Sequence, residues 1–248
     1  MDTPTSIRCY VHGAAEESGL NTFMNSKILI NPSILNANFD DLENEITKVA
    51  STADFLHLDI MDNVFVPNFT FDLHRAFEII NFSKIPVDAH LMVDNPDEIA
   101  PLYAENGCYS VTFHFEAADD VENIIKDIRS NGARVGLAIK PATDFVDIQK
   151  WIEKIDMLLI MTVEPGFGGQ SFMHSQMPKV LQARTFIEKL LKNKPTLQID
   201  GGVSLETIAE AAIAGANCFV AGSAVYKSDN PADMVSNLRE LARKNYPF

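Results

Sequence analysis

From Lys27 onward, short apolar runs alternate with stretches in which apolar positions recur every three or four residues, the pattern of strands each followed by an amphipathic helix. Eight candidate strands result: Ile28 to Ser33, Phe55 to Met61, Val87 to Leu91, Ser110 to His114, Arg134 to Ile139, Met157 to Thr162, Thr196 to Asp200 and Cys218 to Ala221. Their starts lie roughly 27 residues apart, enough for strand, crossover helix and two short loops. Between them run helical stripes such as Val121, Ile124, Ile125 and Ile128, or Leu205, Ile208, Ala209 and Ala212, each able to lay one face on a sheet. Helix ends are marked as well. Asn95-Pro96-Asp97-Glu98 predicts an N-cap, a first-turn proline and a Glu reaching back, and Gly107 follows the last periodic residue. An open doubly wound sheet would alternate in the same way, but a count of eight selects an α/β fold of the (β/α)8, or TIM-barrel, type.

A length of 248 residues with 46% hydrophobic content suits one such domain, taken as 24–248. Residues 1–23 lack clear periodicity and are read as a flexible N-terminal extension. The formal net charge of −14 repels phosphate backbones and anionic lipid, which argues against nucleic acid and membrane partners. It also means that an anionic ligand must be held by local backbone N–H groups and helix N-termini. Cys9, Cys108 and Cys218 have no paired spacing, so neither a disulfide framework nor a thiolate metal site is expected. With no long apolar run and no leader-like start, a cytoplasmic protein is expected. Assembly as a homo-oligomer is expected from the habits of such barrels, although no helix stripe marks an interface.

Polar residues interrupt the predicted strands almost only near their C-terminal ends, the face where barrel active sites sit. His57 and Asp59 lie two apart on strand two and share a side; His90 is late in strand three, and Asp200 ends strand seven. Two imidazoles and two carboxylates on one rim form a nitrogen–oxygen set suited to one divalent ion, whether Zn, Fe, Mn or Co. Such an ion would polarise a carbonyl and hold the charge of an enediolate, while Asp59 and Asp200 from different strands could serve opposite faces of the substrate. Asp62 should point away from Asp59 and fix the following turn, and His114 should pack or hydrogen-bond behind the site rather than ligate. Met61, Met92 and Met161 at strand ends are core filler or, where they line the mouth, a dry wall shielding the enediolate. The interval between strands six and seven is the longest, and its Gly-rich segment from Pro165 to Met173 should lie over the mouth as a mobile loop. Gly201-Gly202 after strand seven and Gly222-Ser223 after strand eight stand where such barrels bind phosphate.

Asn31-Pro32-Ser33-Ile34-Leu35, His57-Leu58-Asp59-Ile60-Met61-Asp62, Phe65-Val66-Pro67-Asn68, His90-Leu91-Met92-Val93, Val163-Glu164-Pro165-Gly166-Phe167-Gly168-Gly169-Gln170, Asp200-Gly201-Gly202-Val203 and Gly222-Ser223-Ala224 together resemble the ribulose-phosphate 3-epimerase family. The resemblance runs from about Ile28 to Tyr226 and implies a barrel of the ribulose-phosphate-binding type. It implies one divalent metal held by His57, Asp59, His90 and Asp200, with Asp59 and Asp200 as the acid/base pair. It implies substrate contacts from Ser33, His90, Gly166, Phe167, Gly168, Gly169, Asp200, Gly201, Gly202, Gly222 and Ser223, the later ones chiefly to phosphate. The implied reaction converts D-ribulose 5-phosphate to D-xylulose 5-phosphate in the pentose phosphate pathway. Two rival readings are an epimerase of a related ketose phosphate, such as allulose 6-phosphate, and a non-catalytic sugar-phosphate-binding barrel. Asn63 stands where the family has Gly after Asp62, a place where Asn can enter the left-handed region.

Overall fold

The structure, a computed structural model, describes residues 28–248, so the extension expected at 1–23, with Cys9 and His12, lies outside the described residues. Eight strands are present: β1 (Leu29–Pro32), β2 (Leu56–Met61), β3 (Val87–Met92), β4 (Ser110–His114), β5 (Arg134–Ile139), β6 (Met157–Met161), β7 (Thr196–Asp200) and β8 (Cys218–Ala221). Four match the predicted bounds and the others differ by a residue at one or both ends. Each strand is followed by a helix: α1 (Leu42–Val49), α2 (Leu73–Phe82), α3 (Pro96–Glu105), α4 (Val121–Ser130), α5 (Phe145–Ile148), α6 (Met177–Glu188), α7 (Ile208–Ile213) and α8 (Ser223–Tyr226). A last helix, α9 (Pro231–Asn245), completes the chain.

All strand pairs are parallel, in the order β1-β8-β7-β6-β5-β4-β3-β2. The ring closes between β1 and β2 through a single parallel bridge, Ser33 to His57, and the Asp54 amide donates to the Ile30 carbonyl at 3.1 Å. Closure therefore occurs at residues of the candidate site.

Strand alternation divides the side chains into two layers. Leu56, Leu58 and Ile60 of β2 and Val87, Ala89 and Leu91 of β3 face outward, joining the helices in one buried core. Val121, Ile124, Ile125 and Ile128 of α4 all bury in that core, as their spacing predicts. The inward set is unusually polar: Asn31, His57, Asp59, Asp88, His90, Ser110, Thr112, His114 and Gln198 are all buried. This corrects the expectation that polar residues keep to strand C-termini, because Asp88 and Ser110 lie at the opposite ends of β3 and β4. Their burial has a physical reason in the hydrogen bonds described below.

Side chains set several helix starts. Asp72 accepts from the Arg75 amide at 2.7 Å, and Asp120 accepts from the Asn123 amide at 3.1 Å, each satisfying an amide the helix leaves unpaired. The start of α3 and its proline are as predicted, but Asn95 makes no capping bond; its amide leans toward Glu98 at 3.4 Å. The stripe expected from Leu205 is also shortened. Helix α7 begins only at Ile208, leaving Leu205 exposed, because Ser204 to Thr207 form a turn closed by Thr207 Oγ1 on the Ser204 amide. No helix among the described residues is long and apolar enough to cross a membrane.

Candidate active site

Strands β2, β3 and β7 bring His57, Asp59, His90 and Asp200 together, with one potential ligand atom from each lying within 4.8 Å of the others. The parallel register sets Asp59 beside His90 and so aligns two of the four. His90 Nδ1 is 3.1 Å from Asp59 Oδ1 and 3.8 Å from Asp200 Oδ2, while His57 Nε2 is 3.4 Å from Asp59 Oδ1. The residues fit a divalent cation on one further observation. His57 Nε2 is buried without a hydrogen-bond partner, although Nδ1 of the same ring is held by Asp88 Oδ2 at 3.0 Å. An imidazole anchored on one side and bare on the other has the arrangement of a cation ligand oriented by an outer carboxylate.

Asp88 is the residue that reading the chain missed. It accepts from Ser110 Oγ at 2.7 Å and Gln198 Nε2 at 3.0 Å besides His57. Burial opposes its ionisation, but the bonds and charge of His57, with Gln198 and Ser110, outweigh burial and lower its pKa. Its position two residues before His90 on one strand face was a usable signal. Burial likewise opposes charge on His57, yet Asp59 and Asp88 push its pKa well above the ordinary value.

The two aspartates are set apart by their surroundings. Burial disfavours ionised Asp59, but His57 and His90 more than compensate and hold it well below the usual carboxylate range. Asp200 is pushed up to about 6 by burial and by the nearby charge of Asp59. Ser33 Oγ donates to Asp59 Oδ2 at 2.6 Å, and Thr70 Oγ1 donates to the Asp59 carbonyl at 2.7 Å, fixing the residue from two sides.

Above the cluster opens a cleft onto which Ser33, Asp59, Asp200 and the methionines Met61, Met92 and Met161 face. Gly166, Phe167, Gly168 and Gly169 form one rim, and Gly201, Gly202, Gly222 and Ser223 form another. His57 and His90 sit beneath the floor. The Gly-rich segment lies over the mouth, tied there by Asn68 Nδ2 on the Gly166 carbonyl at 2.8 Å, while Gln170 donates to the Glu164 and Phe167 carbonyls within the segment. Asn36, which also lines the cleft, carried no signal in the sequence pattern.

Residues expected to lie behind the site do so. Asp62 turns away from Asp59 and accepts from the amides of Val64, Phe65 and Asp94, and Asn63 takes φ of 61° in that turn. Burial pushes His114 down to about 4, and its ring bridges His90 and Glu116. His74 and His174 are exposed and distant from the cluster, paired with Glu78 and Glu210.

Fold and site define a class: a (β/α)8 barrel with a nitrogen–oxygen cluster able to hold a cation at the C-terminal ends of its strands. Residues 29–226 match the model of the ribulose-phosphate 3-epimerase family. A ribulose-phosphate 3-epimerase of Mycobacterium leprae is 47% identical over 216 residues, covering 86% of this chain and 95% of that protein. Its counterpart in Bacillus subtilis is 37% identical over 86% of this chain and 98% of its own length. The chain belongs to the ribulose-phosphate 3-epimerase family and is an enzyme of the isomerase class. Among solved structures, 3-hexulose-6-phosphate synthase of Salmonella typhimurium superposes with a TM-score of 0.63 at 17% identity, over 88% of this chain and all of that one, a likeness of fold alone.

Proposed function

We propose that the protein epimerises D-ribulose 5-phosphate at C3 to D-xylulose 5-phosphate through an enediolate, within the pentose phosphate pathway. The observation that carries this reading is the convergence of a buried and a half-buried carboxylate at the floor of a cleft rimmed by glycine backbone, with two buried imidazoles beneath them. His57, Asp59, His90 and Asp200 would hold one divalent ion per subunit, Zn, Fe, Mn or Co. When bound, that ion supplies polarisation of the substrate carbonyl and stabilises the negative charge of the enediolate.

Inversion at one carbon needs proton transfer on both faces, and Asp59 and Asp200 come from strands far apart in the sheet order. Asp59 Oδ1 faces the histidines, so Oδ2, positioned by the Ser33 hydroxyl, is the atom that removes the C3 proton. Asp200, whose pKa in the absence of a cation lies above that of Asp59, faces the cleft from the other strand and returns a proton to the opposite face. Reversal of these roles runs the reaction backward. Met61, Met92 and Met161 keep water from the enediolate, and the Gly166 to Gly169 loop covers the sugar. Backbone N–H groups of Gly201, Gly202, Gly222 and Ser223 hold the phosphate. The catalytic domain is 24–248, working as a cytoplasmic homo-oligomer.

Metal-loaded protein incubated with D-ribulose 5-phosphate should form D-xylulose 5-phosphate, carrying one solvent deuterium at C3 when the reaction is run in D2O. Asp59→Asn and Asp200→Asn should each lower kcat by roughly 10²–10⁴-fold at saturating metal. Preferential turnover of allulose 6-phosphate, or full activity in both variants, would overturn the assignment.

A further inference from the structure

Outward from the cluster, a line of polar side chains continues that the proposed chemistry does not use. His90 Nε2 lies 2.9 Å from His114 Nε2, and His114 Nδ1 lies 3.2 Å from Glu116 Oε2. Both imidazoles are fully buried, and the Phe65 ring covers His114 at a centroid distance of 4.9 Å. Glu116 is itself fixed, because its Oε1 accepts from the Lys140 amide at 2.7 Å and from the Thr143 hydroxyl.

Two ring nitrogens at hydrogen-bonding distance need one proton between them, and the network decides which ring carries it. Suppose His114 donated from Nε2. A neutral His114 would then turn a bare Nδ1 toward the Glu116 carboxylate, lone pair against lone pair. His90 would in turn carry its proton on Nδ1, the nitrogen that faces Asp59 and Asp200. The opposite arrangement satisfies both outer contacts: His90 Nε2–H donates to His114 Nε2 and His114 Nδ1–H donates to Glu116, while His90 Nδ1, 3.1 Å from Asp59 Oδ1, is left to face the cluster, where its lone pair is matched once a cation lies among the four residues.

We infer that His114 and Glu116 are positioning residues that lock His90 in the tautomer able to bind a cation through Nδ1. This rests on the reading of the cluster as a cation site. His57 has a matching support in Asp88, so each imidazole of the cluster has its own outer carboxylate, one directly and one through a second histidine. The anchor also spans strands, since Glu116 follows β4 while Lys140 and Thr143 follow β5.

The test joins two measurements. Nitrogen-15 spectra of the histidines should show His90 protonated at Nε2 and His114 protonated at Nδ1 in metal-free protein, with His90 Nδ1 free of a proton once Zn²⁺ is bound. Competition with a chromophoric chelator should show Zn²⁺ and Co²⁺ bound about 10–100-fold more weakly by Glu116→Gln and by His114→Gln. His174→Gln, at an exposed ring outside the site, should keep the wild-type affinity. A His90 Nε2 without a proton would overturn the inference, as would wild-type affinity in both variants when their metal-free thermal unfolding matches the parent. If Glu116→Gln does not fold, His114→Gln and the wild-type spectrum decide. Failure of the wild type to bind either ion would refute the cation site itself, and the tautomer spectrum would still decide the relay.

Discussion

At the scale of single residues, the site depends on places where a side chain is needed and places where none fits. Gly201 and Gly202 have φ of +121° and +67°, in the region that L side chains rarely adopt. A Cβ on Gly202 would lie 2.5 Å from the Phe172 amide nitrogen, and one on Gly201 would lie 2.5 Å from Val163. Gly168 differs, since a Cβ there would meet only the end of the Asn36 side chain, at 2.7 Å. Gly202→Ala should therefore cost roughly 2–4 kcal/mol of stability, combining strain and overpacking, whereas Gly168→Ala should cost under about 1 kcal/mol. Urea unfolding of the two variants checks this, and equal losses would refute it. The four cluster residues were legible because ionisable groups stood out in apolar strands at matching positions. Asp88 offered only its shared strand face with His90; its role was not legible, because the partners that stabilise a buried carboxylate so far from the strand end, Ser110, Gln198 and His57, come together only in the fold.

At the scale of elements, strand bounds were legible because every outward position is apolar and the period of two is unbroken. The short helix α7 was not, because one turn of polar capping at Ser204 competes with the stripe that Leu205 would have begun. Elements are also joined by groups the pattern cannot reveal, Glu116 being the clearest. Burial opposes its ionisation, yet hydrogen bonds from His114 and Thr143 prevail and hold its carboxyl at about 2. A carboxylate whose pKa is depressed by folding contributes stability above its unfolded value and loses it as pH falls through the folded one. The link between β4 and β5 should thus weaken progressively between about pH 4.5 and 2. Measured in chelator to remove metal effects, wild-type stability should fall more steeply than that of Glu116→Gln between pH 5 and 3. Parallel slopes would show that Glu116 is not the group titrating.

At the scale of the whole molecule, the net charge of −14 opposes the approach of the sugar phosphate proposed as substrate. The long-range field is repulsive, while the backbone N–H groups of the rims act only at contact, so salt should affect the two unequally. Raising ionic strength from 10 to 150 mM shortens the Debye length from about 30 Å to about 8 Å, which screens the distant carboxylates before it reaches contact groups. The expected result is a several-fold rise in kcat/KM for D-ribulose 5-phosphate on adding sodium chloride, with kcat nearly constant. A fall in kcat/KM would mean that the mouth carries a positive potential strong enough to outrun the global charge, from a metal-loaded cluster or from the glycine rims. Repeating the series with metal-free protein and a non-reacting phosphate ligand separates the two. If the fall disappears without metal, the ion steers as well as catalyses; if it persists, the glycine rims reach farther into solution than hydrogen bonds alone would carry them.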